Sequence, residues 1–401
     1  MSAANEAALA RIAAARPRLA GTVTAREALG LEDGELGHAG PPFAAGQTPP
    51  ATVLHALCGA AIHEGWARDE RTAAAMIAAG EIRLRPNHDL GTVSPMAGVV
   101  RPSQRLFKVE DAAGSATTYA TLAEKGRRVL RFGHYGPDVA AGLGFVEGAV
   151  ADAIEAALPG DGLELLPLIG RGVELGDDVH QRNVGGMLAF LAALDPLPRT
   201  IRDWLAGHPQ HFLNYAMAAA KLCLDRARGI AGASIVTAIT RNGIDCGVQL
   251  AGLPGQWFRA PASLPVGGFF AGFAPGDAHA DLGDSAIMEA FGLGGCIAHC
   301  APEIGRTMGR PWGESQTGGR AMRPLFAGTH EQIAPALAGI DGVGLGLDAA
   351  RVAASGLDIR IHTGISHRDG QSGWIGIGVA MAPHAAFAAA AAMLEAAHDD
   401  R

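Results

Sequence analysis

Ala233-Ser-Ile-Val-Thr-Ala-Ile-Thr-Arg-Asn-Gly-Ile-Asp-Cys-Gly-Val-Gln-Leu-Ala251 decides the fold class of this chain. Two largely apolar runs, Ala233 to Arg241 and Ile244 to Ala251, flank the dipeptide Asn242-Gly243. Asn and Gly both tolerate positive φ, which a tight hairpin turn requires, so the stretch reads as an antiparallel β-hairpin. The pattern recurs on both sides. Arg105 to Glu110 and Thr117 to Leu122 flank Asp111-Ala-Ala-Gly-Ser115, and Leu357 to Thr363 and Trp374 to Ala380 read as further strands. Strands that arrive in hairpins, and do not alternate strictly with helices, predict an α+β fold: a mixed, multi-domain chain and not a doubly wound sheet.

Helices fill the intervening segments. Residues 1–20 read as a short helix, and the Gly/Pro-rich stretch 30–50 reads as a loop and linker. Thr52 to Gly80 reads as two helices around Gly65-Trp66, and Gly136 to Leu158 as helix up to Pro159-Gly160. From Gly176 to Arg228 the pattern is helical throughout, broken at Asp195-Pro-Leu-Pro198 and Gly207, which predicts a small all-helical subdomain. Asp284-Ser285 reads as the cap of another helix, and Pro383 opens a last one that ends near Ala397. The expected organisation is an N-terminal segment and linker (1–50), an α+β domain (51–175), the helical subdomain (176–230) and a second α+β domain (231–401).

The chain has 401 residues, 48% hydrophobic and 18% charged, with a net charge of −8. That is enough apolar material for two or three cores. The acidic balance and a 5% aromatic content argue against nucleic-acid binding, which needs a basic footprint and stacking platforms. Five scattered cysteines suit a reduced, cytoplasmic protein with no disulfide framework. The N-terminus lacks the apolar core of a signal peptide, and the Ala-rich run 385–392 is too short for a membrane span, so no membrane association is expected. Phosphate-loop, zinc-helix, dinucleotide and nucleophile-elbow motifs are all missing, and no metal or organic cofactor is expected.

Polar clusters at the edges of apolar segments carry the functional signal. Gly176-Asp-Asp-Val-His-Gln-Arg-Asn183 precedes the nearly wholly apolar Gly185 to Leu194. A helix that buries such a body places His180, Arg182 and Asn183 at the rim of a cleft, on the positive end of a helix dipole. The plainer alternative is an Asp177 cap followed by a solvated turn. Pro86-Asn-His-Asp89 offers His88 as an oriented base or, equally, a solvated loop. On the apolar segment from His208 to Arg228, Asn214 and Lys221 share a stripe and need polar company, either an anion or, for Lys221, Asp225. Asp284 and Glu289 form a fourth cluster, with caps and solvent exposure as the alternative. His362-Thr-Gly-Ile-Ser-His-Arg368, at a strand end, forms the fifth, with His362, Thr363, Gly364 and His367 as its candidates.

Taken in order, these segments resemble one family. Val93-Ser-Pro-Met-Ala-Gly-Val99, Leu130-Arg-Phe-Gly133, the 176–183 run and His211-Phe-Leu-Asn214 carry the resemblance. So do Arg241-Asn-Gly243, Trp257-Phe-Arg-Ala-Pro261, Gly283-Asp-Ser-Ala-Ile287 and His362-Thr-Gly-Ile-Ser-His367. The chain is similar to the YlbE-like family, which includes a subunit of oxamate carbamoyltransferase from anaerobic allantoin degradation. The resemblance implies a reaction in which oxalurate and phosphate give oxamate and carbamoyl phosphate. It also implies an α+β fold with a small helical subdomain, homo-oligomers, and partner subunits that include a succinyl-CoA-synthetase-like protein.

Carbamoyl transfer needs cations for two anions, donors for a developing oxyanion, and a group that moves a proton. The residues assigned are Arg131, Arg182 and Lys221 for anion binding, His180 or His367 for proton transfer, and Asn183 and Asn214 for orientation. Arg241, Asn242, His88, Asp284, Glu289, His362, Thr363 and Gly364 complete the expected substrate surround. Two other classes stay open at this point: a hydrolase or lyase of a related ureido or cyclic amide compound, acting alone, and a non-catalytic binding or scaffold subunit.

Overall fold

The hairpin is present. In the computed structural model, which describes residues 1–333 and 342–399, Val236–Asn242 and Asp245–Leu250 pair antiparallel with Arg241 opposite Cys246. Asn242 Oδ1 accepts the N–H groups of Ile244 (3.0 Å) and Asp245 (2.8 Å), and Gly243 takes φ +83°. The turn is therefore made by an Asn side chain that replaces a backbone acceptor, beside a residue without a Cβ. Leu253–Pro261 on one flank and Leu282–Gly283 on the other extend the hairpin to a four-stranded antiparallel sheet.

A five-stranded sheet faces it, in the order Thr92–Val93, Thr117–Thr121, Arg105–Asp111, Pro17–Thr24, Leu163–Glu164. The Arg105/Thr117 hairpin forms as expected. The first twenty residues do not form one helix. The helix spans Ala3–Ala14, because Pro17 cannot continue a helix, and Pro17–Thr24 becomes a strand paired with Arg105–Asp111. Residues 35–38, expected within a linker, are also a buried strand. Glu35–His38 lies between Arg83–Pro86 and Val99–Val100, partners too distant in sequence to leave a hairpin signal. Ile359–Ser366 and Trp374–Ala382 are strands as expected; they pair with each other and carry Val266–Phe269 on their edge.

Between the first two sheets runs the helix His211–Asp225, buried at every position but its last. Its ring residues interlock with both neighbours: Tyr215 stands 4.5 Å, centroid to centroid, from Phe107 of the sheet and from Phe190 of the helix Val184–Ala193. Residues 166–225 are mainly helical, with Leu166–Glu174, Val184–Ala193, Arg199–Ala206 and His211–Asp225. The polar run 177–183 is not a first helical turn, however. It is a loop pinned by carboxylates, with Val179 at φ +55°. Asp284 is no helix cap either; its side chain turns inward to partners far away in sequence. Among the described residues no helix is long and apolar enough to cross a membrane.

Two stability tests follow from this packing. Phe190 is fully buried, so Phe190→Ala is expected to cost about 3–5 kcal/mol in urea unfolding. The Tyr215 hydroxyl is buried without a hydrogen-bond partner, so Tyr215→Phe should leave stability unchanged or raise it. A Tyr215→Phe loss as large as that of Phe190→Ala would contradict the apolar setting. The second test concerns pH. Burial pushes His38, His211 and His330 down to about 4, and His208 lower still, so all four are neutral in the fold. The unfolded chain takes up these protons near pH 6.5, so the stabilisation is complete above that pH and is lost as pH falls toward 4. Each histidine should contribute about 1–2 kcal/mol of destabilisation by pH 5. Urea midpoints that are flat between pH 7 and 5 would refute this.

Candidate active site

Two carboxylates organise the candidate site. Asp178 Oδ1 accepts three successive backbone N–H groups, from His180 (3.2 Å), Gln181 (3.0 Å) and Arg182 (2.7 Å). This holds the 177–183 loop in its tight curve and compensates for the positive φ of a β-branched residue at Val179. Asp178 Oδ2 receives His362 Nδ1 at 2.6 Å. Burial opposes ionisation of Asp178, but His362 outweighs it and holds the carboxyl below its usual range. Glu289 receives His180 Nδ1 at 2.8 Å, Gly295 N–H at 2.9 Å and His362 N–H at 3.2 Å. Asp178, His180, Glu289 and His362 thus close a buried ring of hydrogen bonds.

Both imidazoles are used at Nδ1 only. His180 Nε2 and His362 Nε2 are buried and have no hydrogen-bond partner. A carboxylate on Nδ1–H fixes the tautomer and leaves Nε2 of the neutral ring with a lone pair, the arrangement of an oriented base. Gly294, at φ +58°, makes room for this ring, since a Cβ there would stand 1.9 Å from Glu289 Oε1.

The ring lies behind the wall of a small cleft lined by Pro95, Met96, Ala123, Arg131, Phe132, Gln181, Gln210, Leu213, Ser285, Gly364 and Trp374. The lining is continuous in sequence with the ring: Gln181 follows His180, and Gly364 lies two residues after His362. Arg131 is the cation of the lining. It sits against the Glu124 carbonyl (2.7 Å), with the Glu124 carboxylate at 3.5 Å. Burial lowers its pKa despite Glu124. Asn183 Nδ2 donates to the His180 carbonyl and to Gln210, so it ties the 177–183 loop to the entry of the central helix. Its Oδ1 has no hydrogen-bond partner.

The other sequence-derived candidates fall into separate groups. Asp284 accepts from Thr240 Oγ1 (2.6 Å), Asn87 Nδ2 (2.9 Å), Ser94 N–H (3.0 Å) and Gly40 N–H (3.1 Å). His88 lies 3.7 Å from it, buried and without a hydrogen bond on either ring nitrogen. Arg241 is held by Asp281 at 2.6 Å and by the carbonyls of Leu282 and Gly283, and Thr363 donates to the same Asp281 at 2.8 Å. Asn242 completes the hairpin turn and donates to the Pro41 carbonyl. Arg182 Nε stands 3.3 Å from Asp177, which also caps the next helix at Val184 and Gly186.

Asn214 and Lys221 are not brought to the cleft lining. Asn214 Nδ2 points to the His211 carbonyl, and Lys221 Nζ lies 2.8 Å from Asp225 one turn along. His367 lies in the loop after its strand, with Asp369 at 2.9 Å and Asp277 at 3.8 Å. Asp178, Gln181 and Gln210 were not among the residues assigned from sequence. Asp178 was hidden by its neighbour, whose capping pattern explained both acids at once. Gln210 follows a proline at a helix start, which gives no chemical signal by itself.

Comparison with known proteins gives one direction. The family model described as oxamate carbamoyltransferase subunit AllG matches residues 82–285. Oxamate carbamoyltransferase subunit AllG of Escherichia coli (strain K12) is 35% identical over 399 residues, covering 96% of this chain and 95% of that protein. The uncharacterized protein YahG of the same organism is 32% identical, covering 96% of this chain and 84% of its own length. A crystal structure of a conserved protein of unknown function from Enterococcus faecalis V583 superposes with a TM-score of 0.90 at 28% identity, over 98% of this chain and 97% of that one. With its fold and nearly its whole length accounted for by these relatives, the chain belongs to the family of oxamate carbamoyltransferase subunit AllG.

Proposed function

We propose that this chain is a carbamoyltransferase subunit that handles an oxalurate- or oxamate-type ureido anion together with phosphate or carbamoyl phosphate. The carrying observation is the pair of carboxylate-held histidines, His180 on Glu289 and His362 on Asp178, beside a cleft with Arg131 in its wall. In the phosphorolytic direction a phosphate oxygen adds to the ureido carbonyl carbon. The bond from that carbon to the oxamate nitrogen then breaks, and the nitrogen takes a proton. Arg131 binds an anionic end of the substrate pair, with Gln181, Gln210 and Ser285 as the polar groups beside it. His180 Nε2 takes the proton of hydrogen phosphate and returns it to the departing nitrogen, while Glu289 steadies the imidazolium. His362 is the second group of this type. Partner subunits, one of them like succinyl-CoA synthetase, belong to the same proposal.

The direct test is carbamoyl phosphate formation from oxalurate and phosphate, measured with and without the co-expressed neighbouring proteins. Product that depends on this chain supports the reading. Tight binding of oxalurate with no turnover, partners included, would leave a binding subunit instead.

Substitutions separate the roles. His180→Asn should lower turnover by about 10²-fold or more with the fold intact, since general acid–base catalysis contributes on that scale. Arg131→Gln should raise the KM for the anionic substrate by about 10-fold or more, at about 1.4 kcal/mol per factor of ten. His367→Asn should change neither by more than a few-fold, because His367 is occupied by Asp369 and Asp277 in a surface loop. If His367→Asn gives the large loss and His180→Asn does not, the proton-transfer assignment is reversed.

A further inference from the structure

We propose that Arg360 and Arg310 form a binding site for a phosphate-type oxyanion, outside the cleft and beyond the reaction proposed above. Arg360 stands on the strand Ile359–Ser366, two residues before His362 and on the same face. It is only 8% exposed. Its Nε and Nη2 are buried without a hydrogen-bond partner, and it has no ion pair among the described residues. Guanidinium groups stay charged at all physiological pH values, and a buried one is strongly unfavourable unless it is paired.

The surroundings deepen the imbalance. Arg310 is a second cation near Arg360, and burial and Arg310 both work against the Arg360 charge. The carboxylate in reach, Glu314, is engaged by Arg310. Arg310 Nε is itself buried without a partner. Across from them lies the helix Trp312–Met322. Its Gly318 brings bare backbone against Arg360, since a Cβ there would stand 2.9 Å from Nη1. Arg360 Nε and Nη2 and Arg310 Nε are donors only. An oxyanion with acceptor atoms on several sides satisfies such a set, and a guanidinium edge fits two of its oxygens at once. Inorganic phosphate and the phosphate end of a nucleotide share this chemistry.

The test follows thermal unfolding of the full chain in the Arg131→Gln background, which removes the cation of the cleft. The probes are inorganic phosphate and, separately, ADP. Phosphate at tenfold its Kd should raise Tm by about 1–3 °C. Adding Arg360→Gln should abolish that rise. The same variant in phosphate-free buffer should keep its Tm or increase it, because a buried unpaired charge has been removed. A rise with ADP but not with free phosphate supports the site and assigns it to a phosphorylated ligand. An equal rise with and without Arg360, or no rise with either probe, overturns the proposal. Arg310→Gln, at a less buried position, repeats the comparison if the Arg360 variant does not fold. Carbamoyl phosphate formation by the unmodified chain is scored separately, so failure of the proposed activity leaves this result readable.

Discussion

A helix with no solvent face sets the conditions for the rest of the molecule. His211–Asp225 is buried along its whole length except at Asp225, so each polar group it carries either finds a partner inside the protein or, like the Tyr215 hydroxyl, goes without one. His211 meets the Ala123 carbonyl, and Lys221 meets Asp225. The alanines at 216 and 218–220 let strands come close enough for Thr118 Oγ1 to donate to the Ala218 carbonyl at 2.8 Å. Sheets on both sides are the means by which such a helix is covered, and Pro17–Thr24 and Arg105–Asp111 on one side and Val236–Asn242 on the other provide them. Gln210, just before that helix, and Leu213 in its first turn line the cleft, so the same burial that stabilises the core also positions one wall of the candidate site.

The ring formed by Asp178, His180, Glu289 and His362 places charge where water is excluded. Each carboxylate accepts both imidazole and backbone donors, which is what makes its burial tolerable. Hydrogen bonds from four parts of the chain fix this ring, and the two Nε2 atoms are its buried valences without a partner. Donors and acceptors fixed in this way need no reorganisation when charge develops beside them.

Local chemistry was legible in the sequence and long-range pairing was not. Asn242-Gly243 announced its hairpin because turn conformation is decided by the two residues themselves, and the helices of residues 51–78 and 137–157 followed from periodicity. Pro17–Thr24 and Glu35–His38 were missed because their strand character is conferred by partners distant in the chain. Asp284 shows the same limit at the site. Gly-Asp-Ser before an apolar run is a good cap pattern, yet four donors from residues 40, 87, 94 and 240 recruit the carboxylate inward. His180, Glu289 and His362 were each singled out from their own segments. Nothing in the one-dimensional pattern showed that they touch, or that Asp178 joins two of them.

The ring draws its members from residues 178, 180, 289 and 362, and the closing contact between His362 and Asp178 spans 184 positions. Contacts of that separation are reached late in folding, after the loop-closure entropy of the intervening chain has been overcome. The imidazoles have their carboxylate partners only once the segments that carry residues 178, 289 and 362 have come together. A partly folded chain, or one still emerging from synthesis without residues 359–382, presents the individual histidines but not the oriented pair. Assembly of the oriented pair is thus coupled to completion of the fold.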